Sequence, residues 1–318
     1  MQKNKIITVL GGTGFVGHHL AARLSSAGYQ VRIPTRAREA HRDLLVLPGV
    51  QVIQANVHKP AELQMVLQGC DAVINLISIL NERRSPQEKF ETVNIDLVQN
   101  LIQQCEASEV SRLIHISALK ADALEGPSEY LKTKGLAESL IAKSKLQSTV
   151  LRPSVIFGAN DSFVNRFAKL LKMPAPWFFL PMPNTRFAPV YVEDVVSAIL
   201  VALEDRDTIN KTYSCCGPKI YSMRELILLI MRSMGLKRRV IGLNTFFSKI
   251  AATVLGVMPG KPFSKDNFLS MHVNSICDEN GLEKLGISPQ SMESVIPAYL
   301  KPRDHNSRFS DYRKSAGR

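Results

Sequence analysis

Gly11, Gly12, Thr13, Gly14, Phe15, Val16 and Gly17 form a GxxGxxG run directly after the apolar stretch Ile6 to Leu10. Glycines at this spacing, between a strand and a helix, each have a separate use. Gly11 permits the sharp turn, Gly14 lets the backbone approach a pyrophosphate, and Gly17 lets the helix lie close against the sheet. The amino end of that helix then presents unpaired N–H groups and a positive dipole end to a phosphate. A second pair, Tyr130 and Lys134, is spaced to fall on one face of a helix. An ammonium beside a phenol lowers the phenol's pKa and can also bond a ribose hydroxyl. Tyr130 is therefore a candidate acid or base, Lys134 its electrostatic partner, and Ser117 upstream a third candidate.

Positioning these groups requires a particular alternation of elements. Strand patterns over Lys5–Leu10, Gln30–Pro34, Val50–Ala55, Ala72–Leu76, Arg112–Ser117 and Ser148–Arg152 alternate with helix-period segments. The helical segments are Gly14–Ala27, Pro60–Gln68, a long helix over about Gln87–Ser108, and Ser128–Ser144. Such alternation means right-handed βαβ units and six parallel strands. The fold class expected is α/β, a Rossmann-type doubly wound parallel sheet with a smaller C-terminal lobe. Residues 1–155 form the dinucleotide-binding domain. Residues 156–300 return a strand and a helix to the sheet and build the lobe, to which the Thr212–Cys216 strand is assigned. Prolines at 174, 176, 181 and 183 interrupt this second part as a loop or cap, and residues 301–318 read as a solvated basic tail.

The second strand decides the cofactor. An NAD-binding chain places a carboxylate at its end, against the ribose 2′-hydroxyl, whereas here the residues are Val31, Arg32, Ile33, Pro34, Thr35 and Arg36. A guanidinium at Arg36, helped by Arg32 or Arg38, instead pairs with a 2′-phosphate. NADP(H) is expected ahead of NAD(H). Asn56 and Val57, after the third strand, are expected near adenine. Leu76, within Asn75–Ser78, closes the nicotinamide side with Pro153.

The glycine run, Tyr130 with Lys134, and Leu151, Arg152 and Pro153 together resemble an extended or atypical short-chain dehydrogenase/reductase. More narrowly, His115–Leu119, Ser128–Lys134, Arg152–Gly158 and Thr185–Val195 resemble the NADPH-binding accessory subunit of respiratory complex I and its bacterial relatives. The resemblance implies Asn94 as a helix asparagine that shapes the lysine site, and Asp194 as a structural acid, expected as a helix N-cap. Active extended enzymes carry a serine or threonine where this chain has Ala118, so the missing hydroxyl puts catalysis in doubt. The resemblance implies a structural or assembly role with little turnover. The alternative is an active reductase, epimerase or dehydratase on a lipid, quinone-like or nucleotide-sugar substrate.

Composition fits these expectations. An apolar fraction of 45% with 21% charged residues is that of a globular chain. The net charge of +12 suits an anionic partner. Nucleic acid is disfavoured because the cations are scattered and no recognition motif accompanies them. Five cysteines without CxxC or histidine spacing signal neither zinc nor a disulfide framework, and Cys215 and Cys216 read as small hydrophobes. The apolar run Phe246–Met258 is too short to span a bilayer. Because Lys5 runs straight into the glycine motif, no presequence is expected, and the chain is placed in the cytoplasm, peripheral at the inner membrane if it joins a respiratory complex.

Overall fold

The computed structural model describes residues 5–83, 85–258 and 263–300. The expected basic tail, 301–318, lies outside the described residues. Strands β1 (Ile6–Leu10), β2 (Gln30–Thr35), β3 (Val50–Gln54), β4 (Ala72–Asn75), β5 (Arg112–Ile116) and β6 (Gln147–Pro153) are joined by β11 (Lys211–Cys215). They form one sheet in the order β11-β6-β5-β4-β1-β2-β3, all parallel. Ile7, Val9, Val73, Ile74, Leu113 and Ile114 are fully buried, as strands covered on both faces require. The strand order reverses between β1 and β4, which is where a doubly wound sheet opens a crevice at its carboxyl edge.

Helices α1 (Phe15–Ser26) and α6 (Val192–Glu204) pack together over one face. Helices α2 (Pro60–Leu67), α3 (Leu97–Ala107) and α4 (Glu129–Lys143) cover the other. Each set closes its own apolar core, Leu20, Leu24, Val195 and Ile199 on one side and Leu63, Leu101, Val98 and Ile141 on the other. The strand placed in the lobe by its position after the prolines is instead the seventh strand of the sheet. Helix α6 forms the crossover that carries β11 back beside β6, in register from Lys211 opposite Thr149 to Cys215 opposite Pro153.

Three small ribbons and a helical lobe complete the chain. Strands β7 (Ile156–Phe157) and β10 (Val190–Tyr191), β9 (Arg186–Phe187) and β12 (Tyr221–Ser222), and β8 (Trp177–Leu180) and β13 (Arg239–Gly242) pair with one another. Helices α5 (Val164–Lys172) and α7 (Met223–Ser233) enclose a separate core with Leu180, Phe157 and Ile296. Helix α7 begins with a capping box, Ser222 with Glu225. Helices α8 (Thr245–Val257) and α9 (Lys265–Ser270) lie between this lobe and α4.

Three sequence expectations are corrected. The long helix over 87–108 is interrupted: a 3-10 turn at Pro86–Glu88 and a π-turn at Thr92–Asp96 precede α3. The widened turn carries Asn94 into the interior, 2% exposed. Cys216 is disulfide-bonded to Cys277, 61 positions along the chain, so no local spacing signals the pair. Cys215, its neighbour, points into the core as expected of a small hydrophobe. Asp194 is the third residue of α6 rather than its N-cap, and its carboxylate accepts from the Gln290 backbone N–H at 2.8 Å. It anchors the C-terminal segment to α6.

Candidate functional site

The glycine run sits at the β1/β4 reversal. Gly11 has a φ of +77°, a left-handed conformation that makes the turn possible only because no Cβ is present. At Gly17 a Cβ would lie 2.4 Å from the Gly12 carbonyl oxygen, so the close contact of α1 with the turn excludes every side chain there. Gly14 is different. It is exposed, and a Cβ on it would meet only the Gly11 carbonyl at 3.2 Å, so its lack of a side chain leaves space open outside the protein. Thr13, Phe15 and Val16 are half-buried around the turn, Phe15 lying edge-on to His19. No acidic residue stands in the first turn of α1, which leaves its dipole end to an anion.

At the end of β2, Arg36 is exposed beside the crevice, and its charge helps hold the His58 pKa below the ordinary value, after the larger effect of burial. Arg38 is exposed too. Arg32 is not available to a phosphate: its guanidinium donates to the Val66 and Gln68 carbonyls at the carboxyl end of α2. Asn56 also has a local role, its side-chain oxygen accepting from the His58 backbone N–H at 3.2 Å, while Val57 is buried in the core. Leu76 is half-buried just beyond β4, and Pro153 is buried at the end of β6 opposite Cys215.

Helix α4 carries the second group of candidates. It is capped by Ser128, whose hydroxyl accepts from Leu131 N–H, and by Asp266 of α9, which accepts from Glu129 N–H at 2.9 Å. Lys134 is 1% exposed and donates to the Ile116 carbonyl at 3.0 Å. Burial pulls its pKa down to about 8, against the opposing pull of Glu138. Asn94 reaches the same helix one residue earlier, donating to the Thr133 hydroxyl at 2.9 Å. Tyr130 is half-buried against Phe90, with ring centroids 5.9 Å apart.

Two features depart from the arrangement expected of the pair. Burial raises the Tyr130 pKa, and the Ser78 hydroxyl, to which the phenol is hydrogen-bonded, only partly offsets this. The phenol is therefore held neutral and is not activated by Lys134. The Ser117 hydroxyl donates to Glu138, which is also ion-paired with Arg152. That commits Ser117 to a buried carboxylate rather than to Tyr130. The hydroxyl beside the phenol is Ser78, beyond β4, which no spacing rule connects to a tyrosine 52 positions later. His115 accepts from Asn75 Nδ2 at its Nδ1, which leaves the proton on Nε2. Burial and the charge of Lys134 hold this histidine neutral. A cavity of about 520 Å³ opens beside α4, lined by Phe90, Thr133, Ala252, Val257, Asp266 and Leu269.

The His18, His41 and Asp43 side chains cluster near the start of α1 at the protein surface. His18 is hydrogen-bonded to Asp43 and to the Gly14 carbonyl.

Residues 11–165 match the NAD(P)H-binding family model, and residues 123–243 match the 3-beta hydroxysteroid dehydrogenase/isomerase family. The chain is 32% identical over 315 residues to the mitochondrial NADH dehydrogenase (ubiquinone) 1 alpha subcomplex subunit 9 of Arabidopsis thaliana, covering 93% of this chain and 77% of the relative. This chain belongs to that subunit 9 family. The Mus musculus subunit 9 is 29% identical over 303 residues, covering 91% of this chain and 78% of the relative. The Neurospora crassa NADH-ubiquinone oxidoreductase 40 kDa subunit is 26% identical, covering 95% and 80%. Solved structures extend the fold beyond this family. A UDP-glucose 4-epimerase of Thermotoga maritima superposes with a TM-score of 0.72 at 20% identity, covering 93% of this chain and 97% of the epimerase. A nucleoside-diphosphate-sugar epimerase of Staphylococcus aureus superposes with a TM-score of 0.70 at 18% identity, covering 91% and 98%.

Proposed function

We propose that this member of the subunit 9 family is an NADP(H)-binding accessory subunit of a respiratory NADH dehydrogenase, held at the membrane periphery, with a structural or assembly role and little turnover. The observation that carries this is the likeness over 93% of the chain to a subunit of that enzyme. Low turnover follows from Ala118, from a Tyr130 phenol held neutral, and from Ser117 spent on Glu138. The glycine turn supports a pyrophosphate, Arg36 a 2′-phosphate, and Lys134 a ribose hydroxyl. When bound, the nucleotide would supply hydride chemistry, but this chain offers mainly binding and orientation.

A tagged copy recovered from gently solubilised native membranes tests the assembly role. Co-purification with NADH dehydrogenase subunits in fixed proportion is expected. Recovery of the chain free of every such subunit would oppose it.

Lys134 makes the nucleotide site pH-dependent. Its folded pKa of about 8 lies below the ordinary 10.5 of a lysine. Between those values the unfolded chain holds more protons, so this residue's contribution to stability rises with pH across that window and is most unfavourable below it. Binding has the opposite sign. A ribose hydroxyl or phosphate favours the ammonium, so NADPH affinity should be level below pH 8 and fall above it, by up to about tenfold per pH unit. Titrations at pH 7 and 9 check this, and Lys134→Met should flatten the dependence.

A second reading, a slow reductase or epimerase, is favoured by one contact. The Ser78 hydroxyl bonded to Tyr130 could orient a carbonyl in place of the hydroxyl missing at position 118.

A further inference from the structure

Helix α8 is built inside out. Its buried residues are the small Ser248 and Ala252, whereas Phe246, Phe247, Ile250, Val254 and Val257 face outward. Phe246 is 68% exposed and Val257 84%. A helix that covers a core points its large residues inward, so packing among the described residues does not account for the pattern. The β8–β13 ribbon continues the same surface. Trp177 pairs with Arg239 and Phe179 with Ile241, and these four side chains are exposed while Val240 and Leu180 point inward. The two elements are tied together, since Leu243 N–H donates to the Leu180 carbonyl at 2.8 Å and Met182 N–H to the Ser248 hydroxyl at 3.1 Å. Trp177 and Phe179 are 52% and 57% exposed, and the combined patch joins two aromatic positions on the ribbon to two on the helix.

Charge identifies what covers it. The stretches 162–192 and 226–265 supply α5, β8, β13 and α8, and neither contains an aspartate or glutamate, although together they carry eleven lysines and arginines. In a chain with 28 acidic residues to 40 basic ones, that segregation gives the ribbon and α8 only cations from their own stretches, the acids Glu82, Glu91, Glu129 and Asp266 of other elements lying in the cavity beside the Val257 end. Lys169, Lys172, Lys237, Arg239 and Lys249 are exposed around it. Aromatic and aliphatic side chains flanked by cations, with no long apolar span among the described residues, are the requirements of a surface lying in the interface of an anionic bilayer. Tryptophan and phenylalanine sit at headgroup depth, and lysine and arginine keep their charges among phosphates.

We infer that α8 and the β8–β13 ribbon form a docking surface for an anionic phospholipid bilayer. This deepens the peripheral placement proposed above and is tested without any respiratory partner, so a failure to co-purify and a failure to bind lipid are separate results. Trp177 is the single tryptophan of the chain, so its fluorescence reports on the patch directly. Purified protein is mixed with vesicles of phosphatidylcholine alone or with phosphatidylglycerol added. Emission should shift to the blue, and the protein should pellet, with the anionic vesicles only, and raised salt should reverse both. Phe246→Asp combined with Phe247→Asp, at exposed positions, should weaken vesicle binding by more than about tenfold. Unchanged thermal stabilisation by NADPH would show that the variant is folded. No shift with anionic vesicles overturns the inference. So does equal binding by the folded double variant. A shift that depends on protein concentration without lipid would assign the patch to a second copy of this chain and overturn it equally.

Discussion

Gly14→Val should abolish NADPH binding while leaving the fold intact. The Cβ position at Gly14 meets the Gly11 carbonyl oxygen at 3.2 Å and otherwise open space, so a valine side chain there asks only a small shift of the turn. Its branches would fill the volume into which a pyrophosphate must come to reach the N–H groups of α1. The expected loss is at least a hundredfold in affinity, about 2.7 kcal/mol. Thermal stabilisation by saturating NADPH, which follows from binding to the folded state alone, should vanish with it. Gly17→Ala is the useful contrast: its Cβ would lie 2.4 Å from the Gly12 carbonyl oxygen, so it should lower the unliganded protein's melting temperature. Melting curves of both variants with and without NADPH separate the two roles. A Gly14→Val protein stabilised by NADPH as strongly as the parent would place the phosphates elsewhere.

Arg36→Asp should reverse the preference between nucleotides. Arg36 is the first exposed guanidinium after β2, with Arg38 exposed two residues on, and Arg32 within the strand is tied to the end of α2. Removing one phosphate partner and adding a repulsive carboxylate should weaken NADPH by about a hundredfold, since charge-assisted pairs of this kind contribute roughly 1.5–3 kcal/mol. NADH should be little affected or bind slightly better, because an acid at this place can accept from the 2′-hydroxyl. Calorimetric titration of both nucleotides checks it. Equal affinities in the parent protein would remove the basis for the preference.

The sheet and its glycine turn were legible because they follow local rules. Period-2 apolar runs, a βα alternation and glycines at fixed spacing all lie within a few residues of one another. The seventh strand was visible as a strand, but its partner was not, because pairing Lys211 with Thr149 depends on a crossover that the prolines at 174–183 disguise. The helix around Asn94 read as continuous, since a π-turn has no clear sequence signature. The disulfide was hidden for a similar reason, Cys216 and Cys277 being distant in sequence.

The candidate site divides in the same way. Gly11, Gly14, Gly17, Arg36 and the α4 pair could be placed from spacing. The partners that set their chemistry could not. Ser78 reaches Tyr130 from 52 positions earlier, Asp266 closes on α4 from far along the chain, and Lys134 ends at the Ile116 carbonyl. A phenol with a lysine four residues away suggested a lowered pKa, but burial acts first and raises it. Arg32 and Asn56 were reasonable ligand candidates by position and are used internally instead.

The most direct test of a binding subunit with little turnover is the rate at which the purified protein oxidises NADPH, compared with Tyr130→Phe, in the presence of quinones, lipid ketones and nucleotide sugars. Tight NADPH binding by both proteins and only a negligible rate in each are expected, because the ring still packs against Phe90 and the proposed nucleotide contacts lie elsewhere. Rapid oxidation of NADPH by the parent protein, lost in Tyr130→Phe, would contradict that expectation and make this chain an enzyme.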